Sequence, residues 1–189
     1  MFIRSERLFL RPPWPEDAQD LQGVIAHEAV VRNLARAPWP YTHDHAREFV
    51  SRPQDHRLPN FLVTLPGAGG SRIIGGVGLH GDGASVELGY WLTPEAWGRG
   101  YATEAASAVL RLARTLGHRR IGAYHFLDNP GSGRVLEKLG FRSTSFVSER
   151  PSLGRGGSFP SRRYVLQFDQ DLCGSDEIED IAVPDMRAA

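Results

Sequence analysis

"WGRGYATEA", residues 97–105, decides how this chain of 189 residues is read. Two glycines flank an arginine, and a run suited to a helix follows at once. No acidic side chain stands between Trp97 and Thr103. The first amides of a helix have no intrahelical acceptor, and that end carries a partial positive charge. Glycines just before it let an anion approach the backbone without meeting a Cβ. The stretch is therefore a candidate anion site, with Arg99 as an added charge. Taken alone, it also describes an ordinary tight turn. It is not a P-loop, because G-x-x-x-x-G-K-[ST] is absent, and the stretch is not a dinucleotide fingerprint, because it lacks G-x-G-x-x-G.

The flanking sequence places the motif between a strand and a helix. "RIIGGVGLHG" (72–81) and "SVELGYWL" (85–92) read as strands joined at "GDGA", a hairpin signal. From Thr103 to Leu116, apolar residues fall at 105, 109, 112, 113 and 116, an amphipathic helix ended by Gly117. "RRIGAYHF" (119–126) is a strand and "GSGRVLEKLG" (131–140) a short helix. "FRSTSFVSER" (141–150) and "SRRYVLQF" (161–168) are strands, joined by a loop over 151–160 rich in glycine and arginine.

Upstream, "ERLFLRP" (6–12) and "NFLVTLP" (60–66) alternate as strands. "WPEDAQDLQGVIAH" (14–27) and "THDHAREFVSR" (42–52) read as helices, the second with Thr42 as its cap. The order β-α-α-β-β-β-α-β-α-β-β predicts one α/β domain over 1–168. Its sheet is mixed and mostly antiparallel, with about six to seven strands and helices on both faces. The strand at 85–92 and the strand at 119–126 are expected to run parallel, joined by a right-handed crossover.

Composition narrows the function classes. Hydrophobic residues make up 41% of the chain, which places it among globular rather than disordered sequences. No apolar run approaches the ~18 residues of a membrane helix. Arginines interrupt the apolar N-terminus, unlike a signal peptide. Cys173 is the only cysteine, so neither a disulfide framework nor a cysteine zinc cluster is expected. These features predict a cytoplasmic protein without metal. The charge is zero overall but uneven. Residues 169–189 hold seven acids and one arginine and form an acidic tail, whereas 1–168 hold 15 acids and 21 bases. A mildly basic body suits an anionic ligand, or is equally an ordinary solvated surface.

"ELGYWLTPEAWGRGYATEAASAVLRLA" (87–113), followed by "RIGAYHFLDNPGSGRVLEKLGF" (120–141), strongly resembles the GNAT N-acetyltransferase superfamily. The likeness is greatest to the branch of ribosomal-protein N-terminal acetyltransferases and extends from about Glu6 to Phe168. It implies an acetyl-CoA-dependent transfer of an acetyl group to a primary amine. The family's [QR]-x-x-G-x-[GA] pattern matches Trp97, Gly98, Arg99, Gly100, Tyr101 and Ala102, with Trp97 departing from the general form. The resemblance implies that amides from Gly98 to Thr103 cradle the CoA pyrophosphate. It also implies that two parallel strands splay apart, so that pantetheine pairs with backbone near Leu92 and Thr93. In "NPGS", Asn129 is expected to bond the cofactor and Ser132 to lie near its sulfur.

Acetyl transfer to an amine needs a neutral nitrogen, donors for the oxyanion and a proton for the departing thiolate. Glu87 is the candidate base, with a structural or substrate-orienting carboxylate as the alternative. Strand alternation places it on one face with Gly89 and Trp91. Ser132 is the candidate acid or thiol partner and also a plausible helix cap. His80 is a second base candidate. One of Tyr124 and His125 is expected to face the site. Glu104, in the first turn of its helix, reads as a structural carboxylate, and "HDH" (43–45) as a solvated helix start rather than a metal site.

The acceptor is a protein N-terminus or a small-molecule amine. Four arginines within 150–163 either favour an acidic or phosphate-bearing one or simply keep the loop soluble. A homodimer is compatible with the sequence. Two rival readings are a non-catalytic acyl-CoA-binding regulator on the same fold and, from "GRGGS", an RNA-binding protein. The latter lacks an aromatic RNA-binding strand pattern, so neither nucleic acid nor membrane is expected as a partner.

Overall fold

A computed structural model describes residues 1–81 and 85–168. The acidic tail lies outside the described residues, as do Asp82 to Ala84 of the "GDGA" connection. Among the described residues, eight strands form one sheet in the order β1-β2-β3-β4-β5-β6-β8-β7. They are β1 (Ile3–Arg4), β2 (Phe9–Arg11), β3 (Asn60–Gly67), β4 (Gly70–Gly81), β5 (Val86–Leu92), β6 (Arg120–Phe126), β7 (Arg142–Ser152) and β8 (Gly157–Gln167). Every pairing is antiparallel except β5 with β6. The expected α/β class and mixed sheet hold. The count exceeds the expected six to seven because β1, two residues long, turns back onto β2. So short a strand leaves no alternation to read.

The helices are α1 (Ala18–Ile25), α2 (Glu28–Val31), α3 (His43–Val50), α4 (Tyr101–Thr115) and α5 (Pro130–Lys138). They cover the two faces with separate cores. Leu21, Ile25, Val31, Ala46 and Val50 pack with Leu62 and Ile73 on one face. Ala105, Ala106, Val109, Ala113 and Leu136 pack with Val63, Ile74, Leu88 and Ile121 on the other. This division follows strand alternation, because neighbours such as Ile73 and Ile74 point to opposite sides. Thr42 caps α3 as expected, accepting from the His45 amide at 3.4 Å. His45 Nδ1 returns to the Thr42 amide at 3.1 Å, so that imidazole belongs to the cap.

The connection expected as a loop over 151–160 is mostly strand. β7 continues to Ser152 and β8 begins at Gly157, with a turn at Leu153–Arg155 between them. The added strand residues, 151–152 and 157–160, are mostly proline, serine and glycine, so no alternating apolar face announces this extension. The hairpin tip is anchored on the segment after α2. Ser152 Oγ donates to Leu34 O at 2.9 Å, and the Leu153 amide donates to Ala35 O at 3.1 Å. Arg155 bonds both carboxylate oxygens of Asp128, at 2.8 and 2.9 Å, and stacks on Phe126 and Phe159. The tip thereby closes one side of the face that carries α1 and α3.

Candidate active site

The β5–β6 pair sets the site. Within it, register partners are confined to Glu87 and Gly122, near the strand starts. From there the strands diverge toward Leu92 and Phe126, so the β6-facing edge of β5 has no strand partner over its second half. A crossover through α4 joins them, as a parallel pair requires. The chain leaves the open end of β5 through residues 93–100 and enters α4 at Tyr101.

Gly98 and Gly100 both adopt left-handed backbone, at φ +71° and +78°. A Cβ at Gly98 would meet nothing within 4 Å, so that side of the loop is open. Gly100 is the N-cap of α4 and supplies no side-chain acceptor. The helix's own bonding starts with the Glu104 amide on Gly100 O, at 3.0 Å. The amides of Tyr101, Ala102 and Thr103 precede that bond. Without intrahelical acceptors, they are donors available to an anion such as a diphosphate at the glycine loop.

Trp97 acts on the protein rather than outward. Its indole N–H donates to Leu92 O at 2.8 Å and pins the loop to the end of β5. This accounts for a tryptophan where the general pattern has glutamine or arginine. Leu92 O keeps one lone pair for a further donor. Leu92 and Thr93 are both buried, and Thr93 Oγ1 donates to Glu95 at 2.6 Å.

Arg7 is a residue that sequence reasoning missed. Its Nε and backbone amide each bond Glu104, at 2.8 Å, and its Nη1 donates to Arg99 O at 3.0 Å. The guanidinium also lies 4.6 Å from the Tyr101 ring centroid. Burial would raise the Glu104 carboxyl, but hydrogen bonds from Arg7 and Ser5 hold it below the usual range. Glu104 is thus the post that fixes Arg7 beside the glycine loop. Arg7→Ala is expected to weaken acetyl-CoA binding about tenfold, roughly 1.4 kcal/mol, a modest figure because the side chain is half exposed. Arg7→Lys restores little, since lysine lacks the fork that reaches Glu104 and Arg99 together. Calorimetry on both variants checks this.

Glu87 lies on the face of α1 and α3, with Gly89 and Trp91. Its cross-strand partner is His80, whose Nε2 lies 3.3 Å from a carboxylate oxygen. Arg150, on β7, reaches both oxygens at 3.2 and 3.3 Å and stacks 3.7 Å above Tyr124. Burial alone would raise the Glu87 carboxyl. Hydrogen bonds and charge from His80 and Arg150 outweigh it and bring the carboxyl down to about 2. Glu87, His80 and Arg150 line a cleft of about 340 Å³ together with Arg36, Gly81 and Ser85.

On the opposite face, Asn129 Oδ1 caps α5 by accepting from the Ser132 amide at 3.4 Å. Ser132 Oγ lies 2.8 Å from the hydroxyl of Tyr90, whose one proton serves either that oxygen or Ser132 O at 3.0 Å. Burial pushes the Tyr90 hydroxyl up to about 12, so it stays protonated. Tyr90, on β5, is a second residue that spacing did not reveal. Tyr124 faces the Glu87 side. His125 faces α5, packed on Tyr164 with its Nε2 at the space a Gly133 Cβ would fill. Among the described residues, no three histidine, cysteine, aspartate or glutamate side chains gather as a metal site. Among the same residues, no helix is long and apolar enough to cross a membrane.

An open parallel pair, an amide cradle at the next helix and a carboxylate in a facing cleft agree with one family. The Acetyltransferase (GNAT) domain matches residues 7–142. The chain belongs to the GNAT acetyltransferase family. It is similar to the N-acetyltransferase YoaA of Bacillus subtilis (strain 168), itself uncharacterized, with 40% identity over 154 residues, 78% of this chain and 86% of that protein. A GNAT-family acetyltransferase from Bacillus anthracis superposes with a TM-score of 0.75 at 25% identity, over 88% of this chain and 98% of that one. RimL, a ribosomal-protein alpha-N acetyltransferase solved with coenzyme A, shares the fold with a TM-score of 0.74 at 18% identity, over 90% of this chain and 100% of that one. Membership makes the chain an acyltransferase with acetyl-CoA as donor.

Proposed function

We propose that this GNAT protein acetylates a primary amine by direct attack on the acetyl-CoA thioester. The observation that carries the proposal is the amide cradle from Gly98 to Thr103, set at the open end of the β5–β6 pair. The thioester supplies the electrophilic acetyl carbon. The amine nitrogen bonds to that carbon, the C–S bond breaks, and the proton lost by nitrogen is balanced by one gained at sulfur.

Each residue then has a defined task. Amides of Gly98, Arg99, Gly100, Tyr101, Ala102 and Thr103 hold the pyrophosphate. The unpaired edge of β5 near Leu92 and Thr93 takes the pantetheine. Asn129 orders the start of α5, and Ser132, bonded to Tyr90, offers a hydroxyl proton toward the sulfur. Glu87 faces the acceptor. A carboxyl near 2 is a weak base toward an amine whose conjugate acid titrates near ~8 to 10. Its role is to accept a hydrogen bond from the amine and aim the nitrogen.

The test is the release of coenzyme A thiol from acetyl-CoA, with and without added amines. Amine-dependent release accompanied by an acetylated acceptor is expected. Binding of acetyl-CoA without release on a broad amine panel would instead support a non-catalytic acyl-CoA regulator.

A further inference from the structure

We propose that the acceptor is a small amine that carries its own anionic group, a carboxylate or a phosphate, and binds in the cleft at Glu87. This rests on the transferase reading above and names the substrate class of that site. The cleft is lined by Arg36, His80 and Arg150 against one described carboxylate, Glu87. Arg36 is exposed at the rim, after α2, and no described residue forms an ion pair with it. Arg163 adds to the cationic side. It pairs across β6–β8 with Tyr124, lies 5.8 Å from that ring, and its buried Nε has no hydrogen-bond partner.

The Arg150–Glu87 pair shows how such a ligand enters. Its two contacts, at 3.2 and 3.3 Å, are longer than the 2.6 and 2.7 Å of the forked Arg11–Asp17 pair. Charge-assisted bonds are normally about 2.7–2.9 Å. An amine that takes a hydrogen bond to Glu87 loosens the hold on Arg150 and leaves a guanidinium short of an anion. An amine with a tethered anion fills both places, with its nitrogen on Glu87 and its anion on Arg150 and Arg36. A neutral amine fills one place and leaves the guanidinium uncompensated, which is unfavourable in a half-buried site. The volume of about 340 Å³ sits at the small end of ligand pockets, the size of an amino acid or an aminoalkyl phosphate.

The experiment compares matched amines as acceptors for acetyl-CoA: β-alanine with propylamine, phosphoethanolamine with ethylamine, and a neutral peptide N-terminus. The anion-bearing member of each pair is expected to show kcat/KM higher by at least about tenfold. Whichever pair shows the larger ratio identifies carboxylate or phosphate. Arg36→Ala should shrink that ratio and Arg36→Lys should keep most of it. Equal rates within both pairs, a ratio untouched by Arg36→Ala, or a peptide that outruns every small amine would overturn the proposal. Saturable binding of β-alanine or phosphoethanolamine is followed by NMR in parallel. Binding that Arg36→Ala weakens, with no acetylation of any amine, would keep this site and refute the transferase reading. Neither binding nor acetylation would refute both.

Discussion

Gly100→Glu is expected to abolish measurable acetyl-CoA binding while the protein stays folded. Gly100 is the left-handed N-cap of α4, immediately before the amides of Tyr101 to Thr103. A glutamate there places a carboxylate where the diphosphate belongs. Its Cβ would lie 3.4 Å from Arg7 Nη2, so the new carboxylate also competes with Glu104 for that guanidinium. The expected loss is on the order of 100-fold or more, about 2.7 kcal/mol of binding. Left-handed backbone costs a residue with a side chain roughly 1–2 kcal/mol, which a domain stable by about 5–15 kcal/mol tolerates. Gly100→Ala shares that strain but not the charge, and is expected to keep most of the affinity. Calorimetry with thermal unfolding on both variants separates the two effects. Tight binding by Gly100→Glu would remove the pyrophosphate from this loop.

Glu87→Gln is expected to slow transfer by about 100-fold or more while acetyl-CoA affinity holds. Glutamine keeps the shape but presents one oxygen to His80, Arg150 and the incoming nitrogen, and an NH2 group in place of the other. The pH dependence separates the two roles of Glu87. The folded carboxyl is depressed to about 2, so its ion pairs contribute stability above the ordinary carboxylate range and lose it as pH falls through about 2. Glu87 therefore stays ionised across the pH range of an amine assay. An acid limb of kcat/KM near neutrality belongs to the acceptor amine or another group, and the variant should keep it. If the limb vanishes in Glu87→Gln, Glu87 is the base. Wild-type turnover across the pH range would remove Glu87 from the reaction.

Local features of the site were legible in the sequence, and long-range ones were not. The strand, glycine loop and helix of residues 85–116 are written contiguously, so alternation, φ-permissive glycines and helical spacing sufficed. The parallel crossover and the Thr42 cap followed by the same logic. Strand β1 is too short to carry a period. The strands at 141–150 and 161–168 were legible, but their extension into 151–160 was not, because glycine, serine and proline there resemble a loop. Pairs remote in sequence left no trace in spacing: Arg7 with Glu104, Tyr90 with Ser132, Arg150 with Glu87. Even the four arginines of 150–163 divide only in three dimensions. Arg150 goes to Glu87 and Arg163 to Tyr124, whereas Arg155 ties the hairpin to Asp128.

The most direct measurement is an amide-resolved NMR titration of the full chain with acetyl-CoA. The account predicts that the amides of Gly98, Arg99, Gly100, Tyr101, Ala102 and Thr103 shift together and saturably. Smaller changes should follow along Gly89–Leu92 at the open edge of β5. A well-dispersed spectrum in which acetyl-CoA moves none of the 98–103 amides would contradict the cradle, and with it the pose from which the amine, Glu87 and Ser132 were assigned their roles.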